Sequence, residues 1–132
     1  MFDNKEFYLH KNEKTFDEAI EFCTDEGGKL FEGRSETVTE TVTSYMEIAG
    51  VEGFWLGIHD RDNEGVFVYA SDDLPIQWNN WKDGQPNNAG QGQDCVVLKN
   101  DPDWNGEWDD AKCDNVRSFP FVCFREKQSE YL

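Results

Sequence analysis

Four cysteines, Cys23, Cys95, Cys113 and Cys123, constrain this chain more than any other feature of its sequence. An even number of thiols in a short, aromatic-rich chain fits two disulfides made in an oxidising, extracellular setting. A zinc site would need close pairs of the C-x2-C kind, and no two of these cysteines stand that near. Sequence alone leaves three pairings open. If Cys23 joined Cys123, the bond would clamp both ends of the chain. On the chain-entropy model a loop that size is worth about 4–5 kcal/mol.

The 132 residues are one domain's worth of chain, read as a single unit over 1–132. Five Trp, ten Phe and four Tyr can build its core despite 30% charged residues, because each ring removes a large apolar area from water. Asp and Glu number 28 against 12 Lys and Arg, a net charge of -16. Such a surface repels phosphate backbones and anionic headgroups, which argues against nucleic acid and membrane partners. No apolar run approaches the roughly 20 residues that span a bilayer, so membrane insertion is not expected. The opening Met1-Phe2-Asp3-Asn4 has no basic stretch leading into an apolar one, and no secretory signal is read there.

The first quarter reads as helical. Thr15-Phe16-Asp17-Glu18 has the form of a capping box, and Phe16, Ala19, Ile20 and Cys23 then recur on one helical face. Gly27-Gly28 ends that helix. A second helix is expected after Ser35, with Val38, Val42, Tyr45 and Met46 facing inward. Beyond Gly53 the texture changes to short β-type runs at 54–58, 66–69, 95–98 and 121–124. Helices first and strands later indicate an α+β fold.

Between Ser71 and Asp94 lies a long polar stretch with Pro75, Pro86, Trp78 and Trp81, rich in Gly and Asn. A stretch that long inside a small domain is usually functional. Gln85-Pro86-Asn87-Asn88, Gln93-Asp94 and Trp108-Asp109-Asp110 supply carboxylate and amide oxygens, the ligands hard cations such as calcium take. Taken alone, the Gln-Pro-Asn triplet reads as an ordinary turn.

Taken together, these segments resemble the C-type lectin domain family over essentially the whole chain. Trp55-Leu56-Gly57-Ile58 is similar to the family's WIGL motif, Gln85-Pro86-Asn87 to its EPN or QPD, and Trp108-Asp109-Asp110 to its WND. The resemblance implies two helices flanking two small antiparallel sheets, a long calcium-binding loop, and disulfides Cys23–Cys123 and Cys95–Cys113. It also implies Ca²⁺ as cofactor and glycans, at monosaccharide termini, as ligands of a secreted protein, with roles such as innate recognition. Carried over residue by residue, the principal, sugar-binding calcium position would use Gln85, Asn87, Gln93, Asp109 and Asp110. An auxiliary position would use Asp60, Glu64, Asn88 and Asp94.

This chain departs from the pattern at the principal position. Gln85 and Gln93 stand where Glu is usual, and Asp109 replaces the Asn of WND, leaving two carboxylates where members typically gather three. Calcium affinity follows ligand charge, so weaker binding is expected there. EPN members resemble mannose-type binders and QPD members galactose-type; Gln85 with Asn87 is a hybrid. Gln85, Asn87 and Asp109 would meet sugar hydroxyls, and Trp104 is a candidate platform for the apolar face of a galactose ring. The balance tilts to galactose-type ligands. One shallow site implies millimolar affinity, so avidity would call for a homo-oligomer.

An enzyme is not expected. Asp103, Asp109 and Asp110 are close in sequence, but adjacent residues rarely face one scissile bond, and His10 and His59 have no Ser or Cys nucleophile beside them. The rival reading is a lectin-like domain that binds a protein or another surface without calcium, motivated by Gln85 and Gln93.

Overall fold

Backbone groups at both ends of the first helix find partners locally. The computed structural model describes residues 5–86, 92–113 and 117–126. In it α1 (Phe16–Asp25) begins at Thr15, whose hydroxyl accepts from the Glu18 amide at 3.2 Å while the Glu18 carboxylate accepts from the Thr15 amide at 3.0 Å. It ends with Gly27 at φ 83°, which lets the Gly28 amide reach back to the Cys23 carbonyl at 2.9 Å. Phe16, Ala19 and Cys23 are fully buried along one face.

The ten residues before this helix are not helical. They form β1 (Lys5–Lys14), which pairs antiparallel with β7 (Phe119–Glu126) from Lys5 opposite Glu126 onward. Phe7 and Leu9 carry a weak two-residue alternation and pack against the core. The strand conformation comes from pairing with a partner more than a hundred residues away, which local pattern does not reveal.

A two-residue strand, β2 (Lys29–Leu30), lies on the other edge of β7, giving the order β1-β7-β2. The second sheet contains β3 (Gly53–His59), β4 (Val68–Tyr69), β5 (Cys95–Lys99) and β6 (Glu107–Ala111), in the order β4-β3-β5-β6. Between the sheets in sequence lies α2 (Glu36–Ile48), capped by Ser35. Its buried residues are Thr39, Val42 and Met46, whereas Tyr45 is 66% exposed and does not face inward as expected. Thr39, three residues before Val42 and seven before Met46, holds the inner stripe instead. Val66 likewise falls outside the short β4 and is exposed.

β3 is the hinge between two packed cores. Phe54, Leu56 and Ile58 belong to one, with Val96, Leu98 and Trp108; Trp55 belongs to the other, with Phe16, Val97 and Phe121. The strand is apolar on both faces because both are covered. Gly57 lets the backbone around Leu30 and Phe31 approach it, donating its amide to the Phe31 carbonyl at 2.8 Å; a Cβ there would stand 3.2 Å from the Leu30 oxygen. The disulfides are Cys23–Cys123, joining α1 to β7, and Cys95–Cys113, at the start of β5 and beyond β6. No free cysteine remains. Among the described residues no helix is long and apolar enough to cross a membrane.

Candidate cation and ligand site

Two strand ends set the site. Asp60 follows the last residue of β3 and Asp94 precedes the first of β5, and the His59–Cys95 pairing holds those ends in register. One more backbone bond, from the Asp60 amide to the Asp94 carbonyl at 2.9 Å, ties the two residues together. The chain after Asp60 then turns tightly at Gly65, φ 87°, whose amide donates to Asp60 Oδ2 at 2.8 Å. This turn brings Glu64 back to the pair. Oxygens of Asp60, Glu64 and Asp94 all lie within 4.8 Å of one another.

Three carboxylates so close repel, and two of them are partly or wholly withdrawn from water. Burial pushes the Asp60 carboxyl above the ordinary carboxylate range, against the Gly65 amide that lowers it, and Glu64 adds to the rise. Burial also raises Asp94, with Asp60 adding to the effect. Asp60 is 2% exposed, and its Oδ1 and that of Asp94 are buried and accept no hydrogen bond among the described residues. Buried acceptors without donors are costly. The donor set, three carboxylates with two such oxygens, fits a hard divalent cation such as calcium. Asn88, the fourth residue of the expected auxiliary set, lies outside the described residues.

The residues of the expected principal position are distributed differently. The segment from Asn80 to Gln85 runs beside β6: the Trp108 amide donates to the Asn80 carbonyl at 2.9 Å, Lys82 donates to the Trp108 carbonyl at 3.2 Å, and Trp81 bridges Trp108 in parallel. Trp78 and Trp81 both meet the buried Trp108 edge to face, so the tryptophans anchor the long loop to the sheet. Gln85, at the end of this segment and in a cis peptide with Pro86, is half-buried, and its Oε1 is buried and accepts no hydrogen bond among the described residues. Gln93 precedes Asp94, and Asp110 is 1% exposed. Asn87 lies outside the described residues. Gln85 and Asp110 together carry less charge than the first cluster offers.

Asp109 is already paired. Strand alternation sets it on the face of β6 opposite Asp110, where Lys99 donates to its Oδ2 at 2.7 Å. The same ammonium lies 4.4 Å from the centre of the half-buried Trp104 ring, with the Lys82 ammonium 5.0 Å from it. Neither lysine follows from the oxygen-counting that singled out the other residues. A hairpin register between the strands at 95–98 and 108–110 was the available signal, since it sets Lys99 diagonally across from Asp109.

Comparison with known proteins covers nearly all of this architecture. The Lectin C-type domain family matches residues 12–125. Collectin-10 of Gallus gallus is 37% identical over 112 residues, covering 84% of this chain and 39% of that protein. Collectin-11 of Danio rerio is 33% identical over 127 residues, covering 96% of this chain and 45% of that protein. The chain thus spans less than half the length of these relatives. Among solved structures, the mouse scavenger receptor C-type lectin carbohydrate-recognition domain superposes with TM-score 0.83 at 28% identity, covering 98% of this chain and 94% of that one. The cow CD23 C-type carbohydrate-recognition domain, determined in the presence of a GlcNAc2Man3 oligosaccharide, gives 0.80 at 31% identity, covering 97% and 92%.

Proposed function

The chain belongs to the C-type lectin domain family, and from that premise we propose that it is a calcium-dependent carbohydrate-binding domain acting outside the cell. The observation that carries this reading is the Asp60, Glu64 and Asp94 cluster, in which Asp60 Oδ1 and Asp94 Oδ1 are buried and accept no hydrogen bond among the described residues. Calcium, when bound, would supply coordination positions that sugar hydroxyls can complete. The chain's own residues would do the rest. Asp60 and Asp94, fixed to strand ends, would order the long loop. Gln85, Asn87 and Asp109 would direct hydrogen bonds to the sugar, amides donating and carboxylates accepting. Gln93 and Asp110 would complete the principal set, and Asn88 the auxiliary one. Trp104 would offer an aromatic face, which tilts the expected ligand to galactose-type termini. The oligosaccharide in the cow CD23 structure supports a carbohydrate ligand class.

A single such site gives millimolar affinity, about -4 kcal/mol. Self-association would be needed for avidity. Secretion and a part in innate recognition belong to the same proposal.

The test is a glycan array probed with millimolar calcium and again with EDTA. Retention with calcium, release by EDTA and loss in Asp110→Ala are expected. No signal on mannose, galactose, fucose or N-acetylated sugars with calcium present would sink the reading. A second reading, binding of a protein or other surface without calcium, draws on the Lys99–Asp109 pair, which already neutralises one expected ligand. EDTA would leave such binding unchanged.

A further inference from the structure

We propose that a cavity at the start of α2 is a separate binding site for one uncharged, ring-sized apolar molecule. Its walls follow from strand register. Phe7 and Phe124 are directly opposite in the β1–β7 pairing, and Lys5 and Glu126 are opposite two residues further out, so all four leave the same face of the sheet. Val122, the next residue inward on that face, is buried in one cluster with Val42 and Met46 of α2. The helix begins only after its Ser35 cap, and its first turn leaves a space between Val38 and the Phe7–Phe124 pair. None of the residues lining this space belongs to the Asp60 cluster.

The space measures about 170 Å³ and opens to solvent. Phe31 lines it from the side of β2, held beside β7 by its amide, which donates to the Val122 carbonyl at 2.8 Å. The Phe31 ring meets Phe7 edge-on at 6.0 Å, and Phe7 lies 6.2 Å from Phe124 at a tilt of 31°. Gly33, at φ 65°, turns the chain toward Ser35 and adds no side chain to fill the gap; a Cβ on it would instead meet Leu56 at 3.4 Å. An apolar cavity of about 150 Å³ takes one benzene ring. The three phenylalanines offer such a guest edge-to-face and offset contacts.

Charge selects against ionic guests. The charged groups that line the cavity are Lys5, Glu32 and Arg34, and each has an opposite partner. Lys5 pairs with Glu126. Arg34 donates through Nε to Glu32 and through Nη2 to Asp72, both at 2.8 Å, and Glu32 also accepts from the Ser71 amide at 2.9 Å. An anionic guest would have to compete with carboxylates already seated on both cations. A cationic guest would meet the Lys5 ammonium, which already lies 5.8 Å from the centre of the Phe124 ring. An uncharged ring gains from the apolar walls and disturbs no pair.

The test titrates fluorobenzene into the protein in EDTA and follows its fluorine resonance, so the outcome does not depend on the calcium reading. Saturable binding in the millimolar range is expected for wild type. Val38→Phe, which puts a ring into the space, should weaken it by about tenfold or more. Val38→Thr, of the same shape with a hydroxyl, should weaken it about threefold. The anion para-fluorobenzoate and the cation para-fluorobenzylammonium should each bind about tenfold more weakly than fluorobenzene. Melting curves check that the variants fold, and Val38→Thr decides should Val38→Phe fail to. Equal binding by wild type and the folded Val38 variants would put the ring elsewhere and overturn the proposal. Tighter binding of either charged ring would overturn it too. So would no binding to wild type, and binding that appears only in Phe2→Ser would assign the cavity to the chain's own end.

Discussion

Asp60 donates its backbone amide to the carbonyl of Asp94 at 2.9 Å, so the two acidic residues are joined through the main chain while their carboxylates crowd together. Removing one charge from this cluster should therefore act in opposite directions with and without calcium. In EDTA, Asp94→Asn should raise the melting temperature, because burial and like charge both disfavour the carboxylate. With millimolar calcium the order should reverse, since the wild type gains stability from the ion it binds. Parallel melts in the two buffers check this.

Gly28 packs where no side chain fits. A Cβ there would lie 2.4 Å from the Phe124 carbonyl oxygen, a backbone atom of β7 that cannot swing away. Gly28→Ala should cost about 2–3 kcal/mol, read as a lower denaturant midpoint with little change in slope.

Arg34 should matter more than its exposure suggests. Its Nε donates to the buried Glu32 at 2.8 Å, its Nη2 to Asp72 at 2.8 Å, and its guanidinium lies 3.9 Å from the centre of the Tyr69 ring. Glu32, 3% exposed, also accepts from the Ser71 amide at 2.9 Å. Arg34→Ala leaves that carboxylate short of a donor and should destabilise by about 2 kcal/mol. Replacing Arg34 and Glu32 together should cost less than the summed single changes in a double-mutant cycle.

His10 predicts a pH dependence. Its ring stacks on Phe121 at 5.0 Å and meets Phe22 edge-on at 4.5 Å. Burial holds its pKa below the ordinary 6.5, opposed by Glu26 and aided by Lys14. The unfolded chain therefore binds this proton more readily than the folded one. Stability from the neutral ring is fully present above pH 6.5, is lost as pH falls toward the lowered folded pKa, and declines no further below it. His10→Phe should flatten the melting-temperature profile between pH 8 and pH 5 relative to wild type.

The disulfides should separate fold from site. Cys23–Cys123 spans 100 residues, and its removal should cost about 4 kcal/mol. Replacing Cys95 and Cys113 with Ala should cost less, because that bond closes a span of only 18 residues. It should nevertheless weaken calcium binding in calorimetry, because Cys95 adjoins Asp94.

Much of this was legible from the chain. The capping box at Thr15 and Glu18, the glycines ending α1 and the apolar runs of β3 and β5 are signals within a few residues of the structure they specify. Asp60, Glu64 and Asp94 were readable by spacing and likeness, and the structure brings them together. β1 was not legible, because Lys5–Lys14 becomes a strand only by pairing with β7. Helical spacing alone allows either Tyr45 or Thr39 on the inner face, and packing decides for Thr39. The Lys99–Asp109 pair is not legible locally, because it depends on strand register rather than on neighbours in sequence.

The two anchoring acids sit at the ends of β3 and β5, outside the long stretch between them, and β3 is gripped by both packed clusters. The spacing of the ion platform is thereby inherited from the sheet. Changes within residues 71–93 would then leave the spacing of Asp60 and Asp94 untouched, provided Trp78 and Trp81 keep their hold on Trp108.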